Sequence, residues 1–143
     1  MLIVHILKDK GENVHTLAGD ATLSEAARVL TAKKVGAVVV TEQGGALVGV
    51  LSERDIMREI ARNGAGALNT TVAAAMSKAV ITVAPDESVD QGLARMTDKR
   101  VRHLPVLAQG RLIGIVSIGD LVKHKIDEAE KDAAALREYI AAG

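Results

Sequence analysis

The chain repeats itself over most of its length, and this repeat limits the folds that it can adopt more than any other feature. Identical residues recur first at an offset of 66 and then, after a loop that is one residue shorter in the second copy, at an offset of 65. The length change falls in a glycine-containing turn, where a repeat tolerates it. Two similar units in tandem are therefore predicted. The recurring pairs are Val14/Val80, Thr16/Thr82, Ala18/Ala84, Asp20/Asp86, Lys33/Lys99, Val35/Val101 and Val40/Val106, then Leu47/Leu112, Gly49/Gly114, Ser52/Ser117 and Asp55/Asp120.

Each copy carries the pattern of a strand, a helix, two strands and a second helix. Capping boxes at Thr22–Glu25 and Ser88–Gln91 start the first helices, which then show a helical period of apolar residues. Apolar runs on either side of glycine-bearing turns predict a hairpin in each copy. The predicted fold class is therefore α/β in the broad sense (α+β), with predicted strands at 14–17, 37–40, 47–51, 80–83, 104–107 and 112–116.

Short segments lead into each copy, and a long helix ends the chain. Ile3 and Leu7 are four residues apart, as are Val72 and Met76, which predicts a one-turn helix ahead of each copy. Lys10–Asn13 predicts a turn after the first of these. The second helix of the first copy is expected from about Glu53 to Arg62. Following the repeat, the expected domain boundaries are 1–66 with the N-terminal lead-in, 67–125 with the linker, and 126–143 as a helical extension.

The last helix is predicted to run from Ile118 to Ala142 and carries an apolar seam with alternating spacings of four and three. This spacing indicates that the helix packs either on its own pair of units or on a partner subunit; both alternatives stay open. The seam consists of Val122, Ile126, Ala129, Ala133, Leu136 and Ile140.

Composition excludes several classes of function. Tyr139 is the only aromatic residue, and 18 basic residues balance 18 acidic ones, which argues against a nucleic-acid binder. The absence of cysteine excludes disulfides and thiolate metal sites, and the four histidines lack metal-ligand spacing. No apolar run reaches the roughly 20 residues of a membrane span, and no signal-peptide core is present. A soluble cytoplasmic protein without catalytic residues or metal is expected.

A Gly-x-x-Ser-x-x-Asp segment ends the hairpin of each copy and begins the helix that follows. The backbone N–H groups of a helix N-terminus suit an anion such as phosphate. Ser-x-x-Asp is also the pattern of a helix cap, and from one copy alone capping is the favoured interpretation.

Taken together, the two Gly-x-x-Ser-x-x-Asp segments, the stretch Val101–Val106 and the segment Asn69–Pro85 resemble a tandem pair of cystathionine-β-synthase (CBS) domains, also called a Bateman module. The resemblance covers about residues 3–123. It implies two units related by a pseudo-two-fold axis, with a cleft that holds up to two adenosine-containing ligands. AMP is the favoured ligand, with ADP, ATP, NAD(H) or S-adenosylmethionine as alternatives, and a homodimer is expected.

The resemblance also implies roles for individual residues. The aspartate of each segment receives ribose hydroxyls, the serine lies near ribose or phosphate, and a strand segment lines the adenine pocket. Carried onto this chain, these residues are Asp120 and Ser117, Asp55 and Ser52, and Val80, Ile81 and Thr82.

The two copies differ in their basic residues. Arg102 and His103 stand where the family often binds phosphate, whereas Gly36 and Ala37 occupy these positions in the first copy. Arg54, inside the first segment, could reach across the cleft. Alternatives stay open: an exposed strand-edge charge for Arg102, and a hydrogen-bonded core residue for His103. For Arg54 the alternative is a solvated helix residue paired with Glu53 or Glu59. One good site at Ser117 and Asp120 is therefore expected, with a weak or empty second site.

Two functions from different classes follow. The first is a regulatory adenine-nucleotide sensor that signals to a separate effector protein, since no effector domain is present in the sequence. The second is a ligand-independent interaction scaffold whose cleft is vestigial.

Overall fold

Helices and strands follow one another in the order that the repeat predicts, with one exception described below, and this confirms the mixed α+β fold class. The computed structural model describes residues 1–11 and 14–142. The helices are α1 Ile3–Lys10, α2 Leu23–Lys33, α3 Glu53–Asn63, α4 Val72–Ala75, α5 Val89–Lys99 and α6 Ile118–Ala142. The strands are β1 Thr16–Ala18, β2 Ala37–Thr41, β3 Leu47–Ser52, β4 His103–Ala108 and β5 Arg111–Ser117.

The described residues divide into two units, and each unit contains one copy of the repeat. Residues 14–80 form one unit, and residues 81–142 together with residues 1–11 form the other. We call them the first-copy unit and the second-copy unit. Glu12 and Asn13 of the predicted turn, and Gly143 of the predicted C-terminal extension, lie outside the described residues.

The first-copy unit is built on a three-stranded sheet in the order β1-β2-β3. Strand β1 is parallel to β2, and β2 is antiparallel to β3, as expected for a strand, a crossover helix and a hairpin. Helix α2 is the crossover, and Thr22 Oγ1 accepts a hydrogen bond from Glu25 N at 3.1 Å at its start. The core is aliphatic, as the composition requires. Its buried residues are Leu23, Ala26, Leu30, Val38, Val40, Leu51, Ile56, Val72 and Ala75.

The second-copy unit has the antiparallel hairpin β4–β5 but lacks a first strand, so the strand predicted over Val80–Val83 is wrong. Only Val83 pairs with β4, through a parallel bridge to Val106. In the first copy, Val39 N donates to His15 O at 3.2 Å. The residue that corresponds to Val39 in the second copy is Pro105, which has no N–H to donate. Proline therefore removes one of the hydrogen bonds that a continuous strand would need.

The lead-in helices are α1 and α4, which precede the first and the second copy in the chain. Helix α1 packs on the second copy, and α4 packs on the first. Ile3 N donates to Glu87 O at 2.9 Å in the second-copy unit, and Val72 N donates to Ala21 O at 2.7 Å in the first-copy unit. These bonds are equivalent, because Glu87 corresponds to Ala21 at the 66-residue offset. The packing thus differs from the boundaries expected at 66/67, which grouped each lead-in with the copy that it precedes. Helix α1 also has two turns rather than one.

The glycine of each Gly-x-x-Ser-x-x-Asp segment makes room for a lead-in helix. A methyl group at Gly114 would lie 2.6 Å from Leu7 Cδ2, and one at Gly49 would collide with Met76 Sδ. Leu7 and Met76 are the second residues of the two four-residue spacings noted in the sequence. Leu7 belongs to the second-copy core, where it is packed with Ile3, Ile6, Val83, Val89, Met96, Leu104, Val106, Val116 and Leu121.

Most helix starts and ends agree with the local sequence signals, but the box predicted at Thr22 and Glu25 forms only the bond from Glu25 N to Thr22 Oγ1. Ser88 and Gln91 form both bonds of a capping box, at 3.0 and 2.8 Å. Helix α3 ends at Asn63, next to the Gly64 that predicted its stop. Helix α6 spans the predicted Ile118–Ala142.

Candidate ligand-binding site

Ser117 and Asp120 lie where β5 ends and α6 begins, and they cap this helix reciprocally. Ser117 N donates to Asp120 Oδ2 at 2.8 Å, and Asp120 N donates to Ser117 Oγ at 3.1 Å. Two backbone donors are satisfied in this way, which is the arrangement of a capping box. The capping interpretation of the pattern is therefore confirmed for this copy.

Lys10, at the end of α1, also contacts Asp120, and no sequence pattern predicted this contact. Lys10 Nζ lies 2.6 Å from Asp120 Oδ2 and donates to Ile115 O at 2.9 Å. The side chains of Lys10 and Asp120 are 32% and 27% exposed. An ammonium group has three protons, so these two contacts leave one for a further acceptor.

The position of Lys10 follows from the packing of α1 on the second copy. Ile115 corresponds to Val50 at the 65-residue offset, and Val50 O accepts from the backbone N of Ser77 at 2.9 Å. In the second-copy unit, α1 continues as a helix past Leu7, and the Lys10 ammonium contacts the corresponding carbonyl. Lys10 follows Leu7 by three residues, so both face the same side of α1.

The pKa of Asp120 reflects these contacts. Burial acts to raise the pKa, but hydrogen bonds from Lys10 and Ser117 and the positive charge of Lys10 outweigh it. The pKa of Asp120 therefore lies below its ordinary value, and the carboxylate is ionised at neutral pH. Oδ2 accepts the bonds from Lys10 and Ser117, whereas Oδ1 accepts none from the described residues.

The corresponding carboxylate of the first copy, Asp55, is more enclosed. It is 7% exposed, and both of its oxygens have partners: Oδ2 accepts from Ser52 N and Oγ at 2.8 and 3.1 Å, and Oδ1 accepts from Arg58 Nη1 at 3.0 Å. The Ser52 hydroxyl thus donates to Asp55. Arg54 is exposed, as the solvated alternative expects, but it forms no ion pair with Glu53, Glu59 or any other described residue, so the pairing predicted for it is not observed.

Arg102 and His103 lie at the same end of the second hairpin as Ser117 and Asp120. His103 begins β4 and pairs with Ser117 in the register of the hairpin. Arg102 O accepts from Ile118 N at 2.8 Å, and its side chain is exposed. In the first copy, Gly36 and Ala37 occupy these backbone positions without basic side chains.

The predicted adenine-lining segment is divided between the units. Val80 ends the first-copy unit, whereas Ile81 and Thr82 belong to the second-copy unit. Thr82 O accepts from Arg95 at 2.9 Å, and Arg95 forms a bidentate pair with Glu87 at 2.7 Å for both contacts. The hydrogen bond from Arg95 is the main cause that lowers the pKa of Glu87 to about 2.

Of the predicted site residues, the structure therefore gathers Arg102, His103, Ser117 and Asp120 at one end of the second hairpin, together with Lys10. Ser52, Arg54 and Asp55 lie at the corresponding junction of the first-copy unit. Among the described residues, no three His, Cys, Asp or Glu side chains are close enough to hold a metal ion. None of the described helices combines the length and the apolar character needed to cross a membrane.

The family model for the CBS domain matches this chain twice, over residues 9–62 and 72–127. The chain is a tandem CBS domain protein. This confirms the resemblance drawn from its two Gly-x-x-Ser-x-x-Asp segments. Each match ends within the helix that follows one of these segments, so both matches include a whole Gly-x-x-Ser-x-x-Asp segment.

Known CBS domain proteins resemble this one along nearly its whole length. The mitochondrial CBS domain-containing protein CBSX3 of Arabidopsis thaliana is 35% identical over 99% of this chain and 72% of its own. The crystal structure of the CBS-domain protein ATU1752 from Agrobacterium tumefaciens is 42% identical, with a TM-score of 0.85 over 87% of this chain and 92% of that one.

The CBS domain pair of protein MJ0100 has been solved in complex with 5′-methylthioadenosine and S-adenosyl-L-methionine. It is 26% identical, with a TM-score of 0.80 over 90% of this CBS domain protein and 98% of that chain.

Proposed function

We propose that this CBS domain protein is a regulatory module that binds an adenosine-containing ligand at Ser117 and Asp120. Asp120 Oδ1 carries the proposal, because it belongs to an ionised carboxylate and accepts no hydrogen bond from the described residues. A carboxylate oxygen of this kind accepts strongly from the vicinal hydroxyls of a ribose. The adenosine ligands of the MJ0100 domain pair support this ligand class.

Basic residues at the same end of the hairpin suit a phosphorylated ligand. Lys10 has a third ammonium proton, Arg102 is exposed, and His103 lies beside Ser117 in the hairpin register. Arginine and lysine are the usual partners of phosphate oxygens in proteins. AMP is therefore our first choice of ligand, with ADP, ATP and NAD(H) next.

The first-copy site is proposed to be weak or empty. Both oxygens of Asp55 already have protein partners, whereas Asp120 Oδ1 accepts no bond from the described residues. A ribose would have to displace these bonds. The basic pair of the second copy is replaced here by Gly36 and Ala37.

Signalling would follow from differential affinity of the ligand for two conformations, with the response passed to a separate effector protein. CBS domains serve in regulation rather than in catalysis, so we propose no enzymatic activity. A cytoplasmic location stays a prediction; the Arabidopsis relative is named as mitochondrial.

Thermal unfolding with a ligand panel tests the proposal. The panel consists of AMP, ADP, ATP, NAD, NADH, S-adenosylmethionine and 5′-methylthioadenosine. A ligand at 100 times its dissociation constant adds about 2.7 kcal/mol to the free energy of unfolding, which raises the Tm measurably. We expect a rise with wild type that is lost in Asp120→Asn and kept in Asp127→Asn, an exposed control on the same helix.

A ligand-independent scaffold is the second candidate, and the capping geometry favours it. Asp120 already caps α6 and binds Lys10, so its role is explained without a ligand. If no member of the panel raises the Tm of wild type, while Asp120→Asn lowers the Tm, the scaffold replaces the sensor.

A further inference from the structure

Helix α6 has two different faces. One face packs into the second-copy unit through the fully buried Leu121, and through His124, whose Nε2 lies 3.4 Å from Asp9 Oδ2. The opposite face carries the apolar seam defined above. Its four large residues are 42–68% exposed, and its two alanines are exposed as well. An apolar stripe of this length on the solvent side of a helix is typical of an interaction surface.

The seam has the spacing of a coiled coil. Steps of four and three assign Ile126, Ala133 and Ile140 to heptad position a, and Val122, Ala129 and Leu136 to position d. The seam thus extends over 19 residues of α6. Leucine at position d (Leu136) next to isoleucine at position a (Ile140) favours two parallel strands over higher oligomers. The two alanines in the middle allow the helices to approach closely.

The charges beside the seam select a second copy of the same helix in parallel orientation. In a parallel pair, position g of one helix faces position e of the next heptad in the other. These contacts pair Lys125 with Glu130 and Asp132 with Arg137, which are opposite charges in both cases. Lys125 Nζ also lies 2.9 Å from Asp90 on α5, so Asp132–Arg137 is the pair without a competing partner among the described residues.

The antiparallel arrangement brings like charges together. With the two seams fully overlapped, Glu130 would face Glu130, Asp132 would face Asp132, and Lys123 would face Arg137. Like charges at these positions are destabilising and act against the wrong pairing. The charge pattern thus complements a parallel copy of α6 and opposes an antiparallel one.

We propose that two copies of this chain associate through the apolar seam of α6 as a parallel two-stranded coiled coil. The contact places residues 122–140 of the two α6 helices side by side. It leaves Leu121 and His124 packed in their own unit. The hypothesis of a partner subunit for this helix is thereby favoured over packing within one chain.

Multi-angle light scattering of the full chain tests the association. The expected mass is twice the 15.0 kDa of one chain. Leu136→Asp places a charge in the seam and should give a mass of one chain. Ala135→Asp adds the same charge to the same helix outside the seam and should keep the dimer. Because both positions are exposed, circular dichroism should show the same helix content for both variants.

Two results would overturn the proposal: a wild-type mass of one chain at concentrations up to hundreds of micromolar, or a dimer that Leu136→Asp leaves intact. The second result would assign the dimer to another surface of the protein.

Disulfide formation tests the orientation, because the chain has no native cysteine. In a parallel pair, Ile140→Cys lies beside the same residue of the partner and should form an intermolecular disulfide under mild oxidation. In an antiparallel pair, residue 140 lies beside Val122, about 27 Å along the helix from the other cysteine, far beyond the reach of a disulfide. Ala134→Cys, outside the seam, is the control. Equal crosslinking of both cysteines, or none at position 140, would refute the parallel arrangement.

Discussion

The ion pair between Lys10 and Asp120 makes a quantitative prediction, because it joins α1 to the candidate site. Lys10→Met removes the ammonium group and keeps most of the apolar stem. Each partner is about one third exposed, so the interaction lies between an exposed ion pair, about 0–1 kcal/mol, and a charged buried hydrogen bond, about 1.5–3 kcal/mol. We expect a loss of about 1–2 kcal/mol in the free energy of unfolding at neutral pH, or roughly 3–6 °C in Tm.

A double-mutant cycle in urea isolates this interaction. The cycle compares wild type with Lys10→Met, Asp120→Asn and the double variant, with unfolding followed by circular dichroism. Asparagine keeps an oxygen that can cap the helix but removes the charge. Lys8→Met, an exposed residue on the same helix, is the control and should show no coupling with Asp120→Asn.

The coupling should also depend on pH in one direction. The pKa of Asp120 in the folded protein lies below its ordinary value of 3.8. Its stabilisation is therefore complete above about pH 4 and is lost as the pH falls through the folded pKa. A coupling free energy within about 0.3 kcal/mol of zero at pH 7, or one that does not decline in acid, would refute the assigned role of Lys10.

Three further predictions concern the second-copy unit. Gly114→Ala should lower the free energy of unfolding in urea by about 1–3 kcal/mol, because its methyl group would lie 2.6 Å from Leu7 Cδ2. Combined with Leu7→Ala, which removes this contact, the losses of the two variants should be less than additive. Wild type should lose stability as the pH falls from 4.5 towards 2, because the folded protein holds the pKa of Glu87 at about 2. Arg95→Met removes the cause of this low pKa and should lose less stability over the same range. Equal losses in both proteins would contradict this prediction. Pro105→Val restores a backbone donor on β4, so hydrogen exchange should find a protected amide at this position; an amide that exchanges as fast as in an unfolded chain would refute the explanation for the missing strand.

Local features of the fold could be predicted because they depend on residues that are close in the sequence. Helix α3 ends at the Asn63–Gly64 signal, α6 has its predicted bounds, and both hairpins form across their glycine-bearing turns. Each of these features needs only turn chemistry and apolar periodicity.

Residue spacing could not predict that α1 packs on the second copy and α4 on the first. Ile3 and Leu7 have the same spacing as Val72 and Met76, so either pair could fill either core. Packing decides the outcome: Leu7 occupies the space over Gly114, and Met76 occupies the space over Gly49. The missing strand also depends on a contact between distant residues. Pro105 lacks the N–H that would bond to a segment 24 residues earlier in the chain, so the local pattern of that segment does not reveal the loss.

The candidate site was predicted in part. Ser117, Asp120, Arg102 and His103 do lie at one end of a hairpin, because the repeat and the hairpin register place them there. Lys10 was missed, since its contact with Asp120 spans 110 residues. Its signal in the sequence is its place one turn after Leu7, which becomes informative only once α1 is known to pack on the second copy.

The most direct test of the central claim is calorimetric titration of wild type and Asp120→Asn with AMP and with 2′,3′-dideoxy-AMP. If Asp120 accepts the ribose hydroxyls, the dideoxy form should bind wild type at least tenfold more weakly than AMP, a difference of about 1.4 kcal/mol. The two ligands should bind Asp120→Asn with nearly equal affinity. Equal affinity of both ligands for wild type, or no binding of either, would contradict the proposed recognition of ribose by Asp120.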